Sequence, residues 1–259
     1  MIKKLNHFFF FTLLILWSCH NNMQDQQKHD DVKNITIDTN IIDDNIPEKI
    51  NKTEQYLNSI GLVNIKDSIP EIIVELKYSS EDNFLGFSFY GELKNAFVQP
   101  ECFKKLKAAY KLLQDTIPGY TFIIYDAVRS IEAQQIMWDS IKVPEKQKYW
   151  YVANPNRGSI HNYGMAVDIT LADRQGKPLD MGTGFDFFGE LAFPDKSDYY
   201  LKIGELSTEQ YNNRMLLLNI MRRAGFYVSK TEWWHFNATS LNDAKQRFII
   251  FSEKNITTE

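Results

Sequence analysis

Residues 20–52 contain no aromatic side chain and no sustained apolar period, and they are rich in Asn, Asp and Gln. A segment of that composition cannot bury enough apolar surface to offset the entropy of ordering it, so it reads as a flexible tether. The fold must then be made by residues 53–259. That stretch suits one domain, and no internal repeat at solenoid or propeller periods divides it. The whole chain of 259 residues is 44% hydrophobic and 24% charged with 12 Gly and 8 Pro, which excludes collagen-like and low-complexity classes. Its formal net charge of −4 gives no basic footprint, so no nucleic-acid partner is expected.

Ahead of the tether, Lys3 and Lys4 precede an apolar run from Phe8 to Trp17. The run is shorter than the roughly 20 residues a spanning helix needs, and a secretory signal peptide fits it better. It ends in Leu16-Trp17-Ser18-Cys19, which resembles a bacterial lipoprotein box although Trp17 is an uncommon occupant. The expectation is a lipoprotein signal peptide over 1–18, lipid on Cys19, and a lipidated tether over 19–52. The domain would then be held by a lipid anchor at the bacterial cell envelope, facing the periplasm or exterior. An uncleaved anchor, or an ordinary signal peptide with a chance cysteine, is the alternative. Cys102 is the remaining thiol and reads as a small buried residue, because a nucleophilic cysteine needs a His partner and a polarising environment.

Within the domain, Ile72–Tyr78 is β-rich and predicts a strand. Residues 101–114 place Phe103, Leu106, Tyr110 and Leu113 at steps of three and four, which predicts an amphipathic helix. Tyr120–Ala127 predicts a buried strand, and Ser130 with Glu132 predicts the start of a helix running to about Ile141. The stretch 143–159 reads as loop. In the strand Met165–Leu171, Val167, Ile169 and Leu171 should face the core, with Ala166, Asp168 and Thr170 on the other face. Arg174–Lys177 predicts a hairpin turn, and 179–204 reads as long and mostly irregular, which in a compact domain usually marks function. Ser207 and Gln210 form a capping box for a helix with Tyr211, Met215 and Leu218 inward, stopped by Gly225. Helices and hairpin-style strands in irregular order favour α+β: a single domain with a small, mainly antiparallel sheet flanked by helices.

His161 and His235 are the two histidines of the domain. Asp168 follows the first by seven residues, and Glu232 precedes the second by three. Two histidines and a carboxylate, with a fourth position left for water, are a chemically suitable catalytic zinc set. One carboxylate could bind metal while the other takes a proton from water. Glu232 and His235 share a face only in a helical turn, so a turn or bulge is expected there if both act at one centre. The alternative is a loop histidine, a second histidine beside Trp233 and Trp234, and two solvated carboxylates.

Two motifs sharpen this. Ser159-Ile160-His161-Asn162-Tyr163-Gly164-Met165-Ala166-Val167-Asp168 reads S-x-H-x-x-G-x-A-x-D, and Glu232-Trp233-Trp234-His235 reads E-x-x-H. Together they resemble the zinc-dependent D-alanyl-D-alanine dipeptidases of the VanX type, within a wider group of D,D-peptidases that shares a fold with the hedgehog signalling domain. The resemblance runs from about Ile72 to Asn237. It implies that His161, Asp168 and His235 hold one Zn²⁺ per chain and that Glu232 is the general base. It implies further that Arg129, closing the segment Asp126-Ala127-Val128-Arg129, stabilises the oxyanion. The family usually places Pro after that arginine, where this chain has Ser130.

Met181-Gly182-Thr183-Gly184-Phe185-Asp186 resembles the family segment whose aspartate binds the substrate's amino group, and Lys77-Tyr78 the place of an assisting tyrosine. Ser159 would contact the bound peptide. The implied activity is hydrolysis of the D-Ala-D-Ala dipeptide at the cell envelope. A peptidoglycan D,D-carboxypeptidase or stem-peptide endopeptidase, and a non-catalytic zinc- or peptide-binding lipoprotein, are the competing readings. Oligomeric state is not encoded in any of these features.

Overall fold

The computed structural model describes residues 51–256; the signal peptide, Cys19 and residues 20–50 of the expected tether lie outside the described residues. In chain order the regular elements are α1 (Lys52–Ser59), β1 (Val63–Asn64), α2 (Ile65–Ser68), β2 (Ile73–Val74), β3 (Phe97–Val98), α3 (Pro100–Thr116), β4 (Thr121–Asp126) and α4 (Ile131–Ser140). They continue as α5 (Glu145–Lys148), β5 (Ala166–Ala172), α6 (Ser197–Ile203), α7 (Thr208–Arg223), β6 (Tyr227–Val228), β7 (His235–Asn237) and α8 (Leu241–Arg247). Asn51 caps α1 by accepting from the Glu54 N–H, so Asn51 and Lys52, the last two residues of the expected tether, belong to the start of this helix.

The main sheet runs β2-β4-β5-β7-β6, and a separate antiparallel pair joins β1 to β3. Every neighbour in the main sheet is antiparallel except β2 and β4. This is the α+β arrangement the element order predicts, with one parallel pair added. The two central strands, β4 and β5, are buried along their whole length. Val167, Ile169 and Leu171 enter the main core as expected. The other face of β5 is covered too, because Phe185 packs on a second small cluster of Ile123, Tyr125 and Ala172.

Local sequence accounts for the helix ends. Pro100 occupies the first turn of α3, where its missing N–H costs nothing. Ser130 accepts from the Ala133 N–H and starts α4; Ser207 and Gln210 close a reciprocal capping box on α7. Gly225, at φ 89°, takes the left-handed turn after α7.

Four expectations are corrected. The strand predicted over Ile72–Tyr78 is confined to Ile73–Val74, after which the chain tightens into a 3₁₀ turn at Lys77–Ser79 that delivers Tyr78. In α3 the fully buried stripe is Cys102, Leu106, Ala109 and Leu113, with Phe103 and Tyr110 at its edge. In α7 the buried residues are Arg214, Leu217, Leu218, Ile220 and Met221, while Tyr211 and Met215 are only half-buried. The irregular stretch 179–204 contains α6, whose N-cap residue, Lys196, makes no side-chain cap hydrogen bond to announce it. Cys102 is buried, and that burial pushes its thiol up to about 12, consistent with a packing role.

Candidate active site

Sheet register builds the site. Asp126 of β4 pairs with Asp168 of β5 across an irregularity between Ile124 and Asp126, and Asp168 pairs with His235 of β7. Residues directly opposite across neighbouring strands project from the same face, so three side chains from distant parts of the sequence form one row. His161 reaches the row from a 3₁₀ turn, Ile160–Tyr163, which Gly164 ends at φ 65°. A Cβ at Gly164 would stand 3.3 Å from the backbone nitrogen of Gln99, so the glycine serves both the turn and the close approach.

The ligand atoms converge. His161 Nε2 lies 3.1 Å from His235 Nδ1 and 3.3 Å from Asp168 Oδ1, and His235 Nδ1 lies 2.9 Å from Asp168 Oδ1. Tetrahedral zinc bonds of about 2.0–2.1 Å would set ligand atoms about 3.3 Å apart, so this triangle has nearly the size of one face of such a site. The other ring nitrogens are occupied: His161 Nδ1–H donates to the Ala127 carbonyl at 2.7 Å, and His235 Nε2–H to Asn237 Oδ1 at 2.9 Å. Those partners fix each ring's tautomer with its lone pair toward the triangle, as metal-binding histidines require. Among the described residues, this is the group of His, Cys, Asp or Glu side chains that can hold a metal ion.

Charge in the triangle favours a cation. Burial opposes ionisation of Asp168, yet the two imidazoles beside it hold its carboxyl well below the usual range. Burial likewise disfavours a charged His235, but the hydrogen bond and charge of Asp168 lift that imidazole to about 9. A divalent ion can take the place of that proton.

Arg129 is buried at the edge of the row. Asp126 accepts from its Nε at 2.9 Å and from Nη2, and Gln134 Oε1 accepts from Nη1 at 3.0 Å. Nη2 stands 3.8 Å from Asp168 Oδ2, and the guanidinium carbon 5.2 Å from the Tyr78 ring centre. Asp126 Oδ1 accepts from the Tyr90 hydroxyl and the Ala127 N–H, so this buried carboxylate is itself held in place while Oδ2 fixes the guanidinium. Ser130, which follows Arg129, caps α4 by accepting from the Ala133 N–H.

Glu232 precedes a turn at Trp233 and Trp234, and the His235 N–H reaches back to the Glu232 carbonyl. That turn is what the E-x-x-H spacing requires for both side chains to face one centre. Burial raises the Glu232 carboxyl pKa, with the neighbouring histidines opposing and Asp168 reinforcing the shift.

Asp186 is the one non-glycine residue at positive φ, 57°, among the described residues. The Tyr78 hydroxyl donates to its Oδ1 at 3.0 Å, while Oδ2 is shut off from solvent with no hydrogen-bond partner. Burial, and then the charge of Asp168, push its pKa well up. Tyr78 is held among Phe89, Tyr90 and Phe185 at ring-centre distances of 5.0, 5.4 and 5.8 Å. Ser159 Oγ accepts from the His161 N–H at 3.3 Å, so the hydroxyl supports the turn that presents His161.

A cleft of about 530 Å³ is lined by Tyr78, Arg129, Ser159, His161, Asp168, Asp186, Glu232 and His235. Every predicted site residue within the described part of the chain therefore meets at one place; Cys19 lies outside it. Sequence reasoning assigned no role to Asp126, Gln134, Asn237 or Arg214. Asp126 alone had a signal, as the first residue of the segment that ends in Arg129.

A family model described as D-ala-D-ala dipeptidase, peptidase family M15, matches residues 58–253. A D-alanyl-D-alanine dipeptidase of Escherichia coli (strain K12) is 33% identical over 175 residues, covering 68% of this chain and 83% of the relative. One from Synechocystis is 34% identical over 165 residues, covering 52% and 66%, and one from Enterococcus faecium is 28% identical over 195 residues, covering 68% and 91%. The matched region holds both histidine motifs and the whole cleft, and the chain therefore belongs to the D-Ala-D-Ala dipeptidase family of metallopeptidases.

Proposed function

We propose that this protein hydrolyses the D-Ala-D-Ala dipeptide in a zinc-dependent reaction at the bacterial cell envelope. The observation that carries the reading is one cleft lined by Glu232, by the triangle of His161, Asp168 and His235, and by a half-buried carboxylate, Asp186, one oxygen of which has no hydrogen-bond partner. Zinc bound to the triangle supplies a Lewis acid that polarises a carbonyl and brings the pKa of water from 15.7 toward about 7.

The chain's own residues supply the rest. Glu232 accepts a proton from the attacking water and returns it to the leaving amine; its raised pKa suits both directions of transfer. Arg129, held by Asp126 and Gln134, needs no reorganisation to meet the negative charge that develops on the scissile carbonyl oxygen. The Asp186 carboxylate, at the wall of the cleft, takes the substrate's ammonium, and Tyr78 orients that carboxylate by donating to Oδ1. A pocket built to pair that ammonium penalises peptides whose amino group is blocked, which favours the dipeptide over a peptidoglycan stem. Ser159 Oγ, accepting from His161, keeps its own proton available for the peptide. The anchor and address rest on Lys3, Lys4, the run Phe8–Trp17 and Cys19.

Zinc-loaded protein is expected to release D-alanine from D-Ala-D-Ala and to leave L-Ala-L-Ala and a pentapeptide stem largely intact. Cleavage of the stem alone would move the function to wall remodelling. A folded, zinc-loaded protein inert on all three would favour a binding role.

A further inference from the structure

The segment that carries Asp186 has little regular structure of its own. Between the end of β5 at Ala172 and the start of α6 at Ser197 there are only two 3₁₀ turns, Glu190–Ala192 and Pro194–Lys196. Chain of that kind places a carboxylate reproducibly only if something outside it holds it, and here the holder is α7. Arg214 is fully buried on that helix, beside Leu217, Leu218 and Met221. Its Nε–H donates to the Met181 carbonyl at 2.5 Å and its Nη1 to the Leu191 carbonyl at 2.7 Å. These two carbonyls bracket Asp186, each five residues away in sequence.

Neighbouring residues of α7 grip the same end of the segment. Gln210 Nε2 donates to Asp180 Oδ2 at 2.8 Å, and Asn213 Nδ2 to the Asp180 carbonyl at 2.9 Å. Gly182 fits against them so closely that a Cβ there would stand 2.2 Å from Leu206 Cδ2 and 3.5 Å from Arg214 Nη2. Arg214 makes no ion pair among the described residues; burial brings its pKa down to about 10, with Asp180 opposing. A buried cation held by two carbonyls, with its Nη2 left without a hydrogen-bond partner, is a costly way to pack a helix, and a leucine or methionine would fill the same stripe. Arg214 does not line the cleft, so the chemistry does not use it directly.

We propose that Arg214 is a positioning residue for substrate recognition: by holding the Met181 and Leu191 carbonyls it sets Asp186 where the substrate's ammonium arrives, and so governs selectivity for a free amino terminus. This rests on the reading of Asp186 as the ammonium site. Without the clamp, the loop drifts while the metal triangle, built on β5, β7 and the His161 turn, stays in place.

The test compares full-length, zinc-loaded wild type, Arg214→Met, Arg214→Lys and Asp186→Asn on D-Ala-D-Ala and N-acetyl-D-Ala-D-Ala, with amide hydrogen exchange over 181–191. Arg214→Met is expected to raise KM for the free dipeptide roughly tenfold to a hundredfold, the scale of a misplaced binding group, with kcat nearly unchanged. Its preference for free over acetylated substrate should fall toward that of Asp186→Asn, Arg214→Lys should lie between, and exchange over 181–191 should quicken while that of β5 does not. If Arg214→Met keeps the wild-type preference while Asp186→Asn loses it, the clamp proposal is wrong and the ammonium reading survives. If wild type shows no preference and Asp186→Asn changes nothing, the ammonium reading fails and takes the clamp with it. Should Arg214→Met not fold, Gln210→Ala with Asn213→Ala loosens the same segment from the partly exposed side. Reduced preference would then support the proposal, and unchanged preference despite faster exchange would overturn it.

Discussion

The metal triangle and the Asp186 pocket share one cleft but are held in place by different means. Asp168 and His235 are cross-strand partners in the centre of a sheet, and the His161 ring is tied to the backbone of Ala127. Moving Asp168 or His235 means breaking strand pairing, and moving His161 means breaking its bond to that backbone. Asp186 sits on an irregular segment in left-handed backbone, tethered through Tyr78 and the grips of α7. On the proposed function, bond-breaking is built on paired strands and recognition on a segment fastened from outside, so the two should respond separately to mutation.

The sharpest way to break that comparison is Glu232→Gln. It should lower kcat on the order of a thousandfold or more, within or beyond the usual range for a general base, while zinc content by elemental analysis and KM stay near wild type. Comparable losses of metal and rate would mean that Glu232 belongs to the metal-binding set. Next in size is pH. His235, raised to about 9, is protonated below that value, so zinc must displace a proton and its affinity should rise about tenfold per pH unit from 6.5 to 9 and then level. The chelator-treated protein should show the opposite trend: a histidine whose folded pKa is raised contributes stability fully below 6.5 and loses it as pH climbs through 9. Zinc titrations and thermal melts at the same pH values would check both signs.

Smaller effects should separate the regions further. Asn237→Ala removes the acceptor of His235 Nε2–H and should weaken zinc binding roughly tenfold to a hundredfold, with little change in the preference for free amino termini. Tyr78→Phe removes one hydrogen bond to Asp186, about 1 kcal/mol, and should raise KM for D-Ala-D-Ala several-fold without altering zinc affinity. A zinc titration that moved with Tyr78→Phe would show the two regions to be coupled after all.

What sequence disclosed follows the same division. The caps at Ser130 and Ser207, the core face of Val167, Ile169 and Leu171, and the turn demanded by Glu232 and His235 are local, and local chemistry predicts them. The alignment of Asp126, Asp168 and His235 is a register between strands far apart in the chain, and no short-range pattern encodes it. The burial of Arg214 was hidden for another reason. Periodicity sorts residues by polarity, so it turns α7 toward Tyr211 and Met215 and passes over an arginine whose inward place is tied to the carbonyls of a packed loop. The strand expected at Ile72–Tyr78 failed where a β-rich composition met the need to bring Tyr78 to Asp186 through a 3₁₀ turn.

The left-handed backbone at residue 186 narrows what descendants of this gene could do with the pocket. Among non-glycine residues, Asn and Asp tolerate that conformation best, whereas β-branched or bulky side chains are strained there. A single-step exchange to Asn would discharge the pocket and leave the loop intact, opening the cleft to peptides without a free amino group. An exchange to a bulkier or β-branched residue would have to rebuild the loop first. On the proposed role of Asp186, drift in substrate range is channelled toward losing the demand for an amino terminus, and away from inverting it.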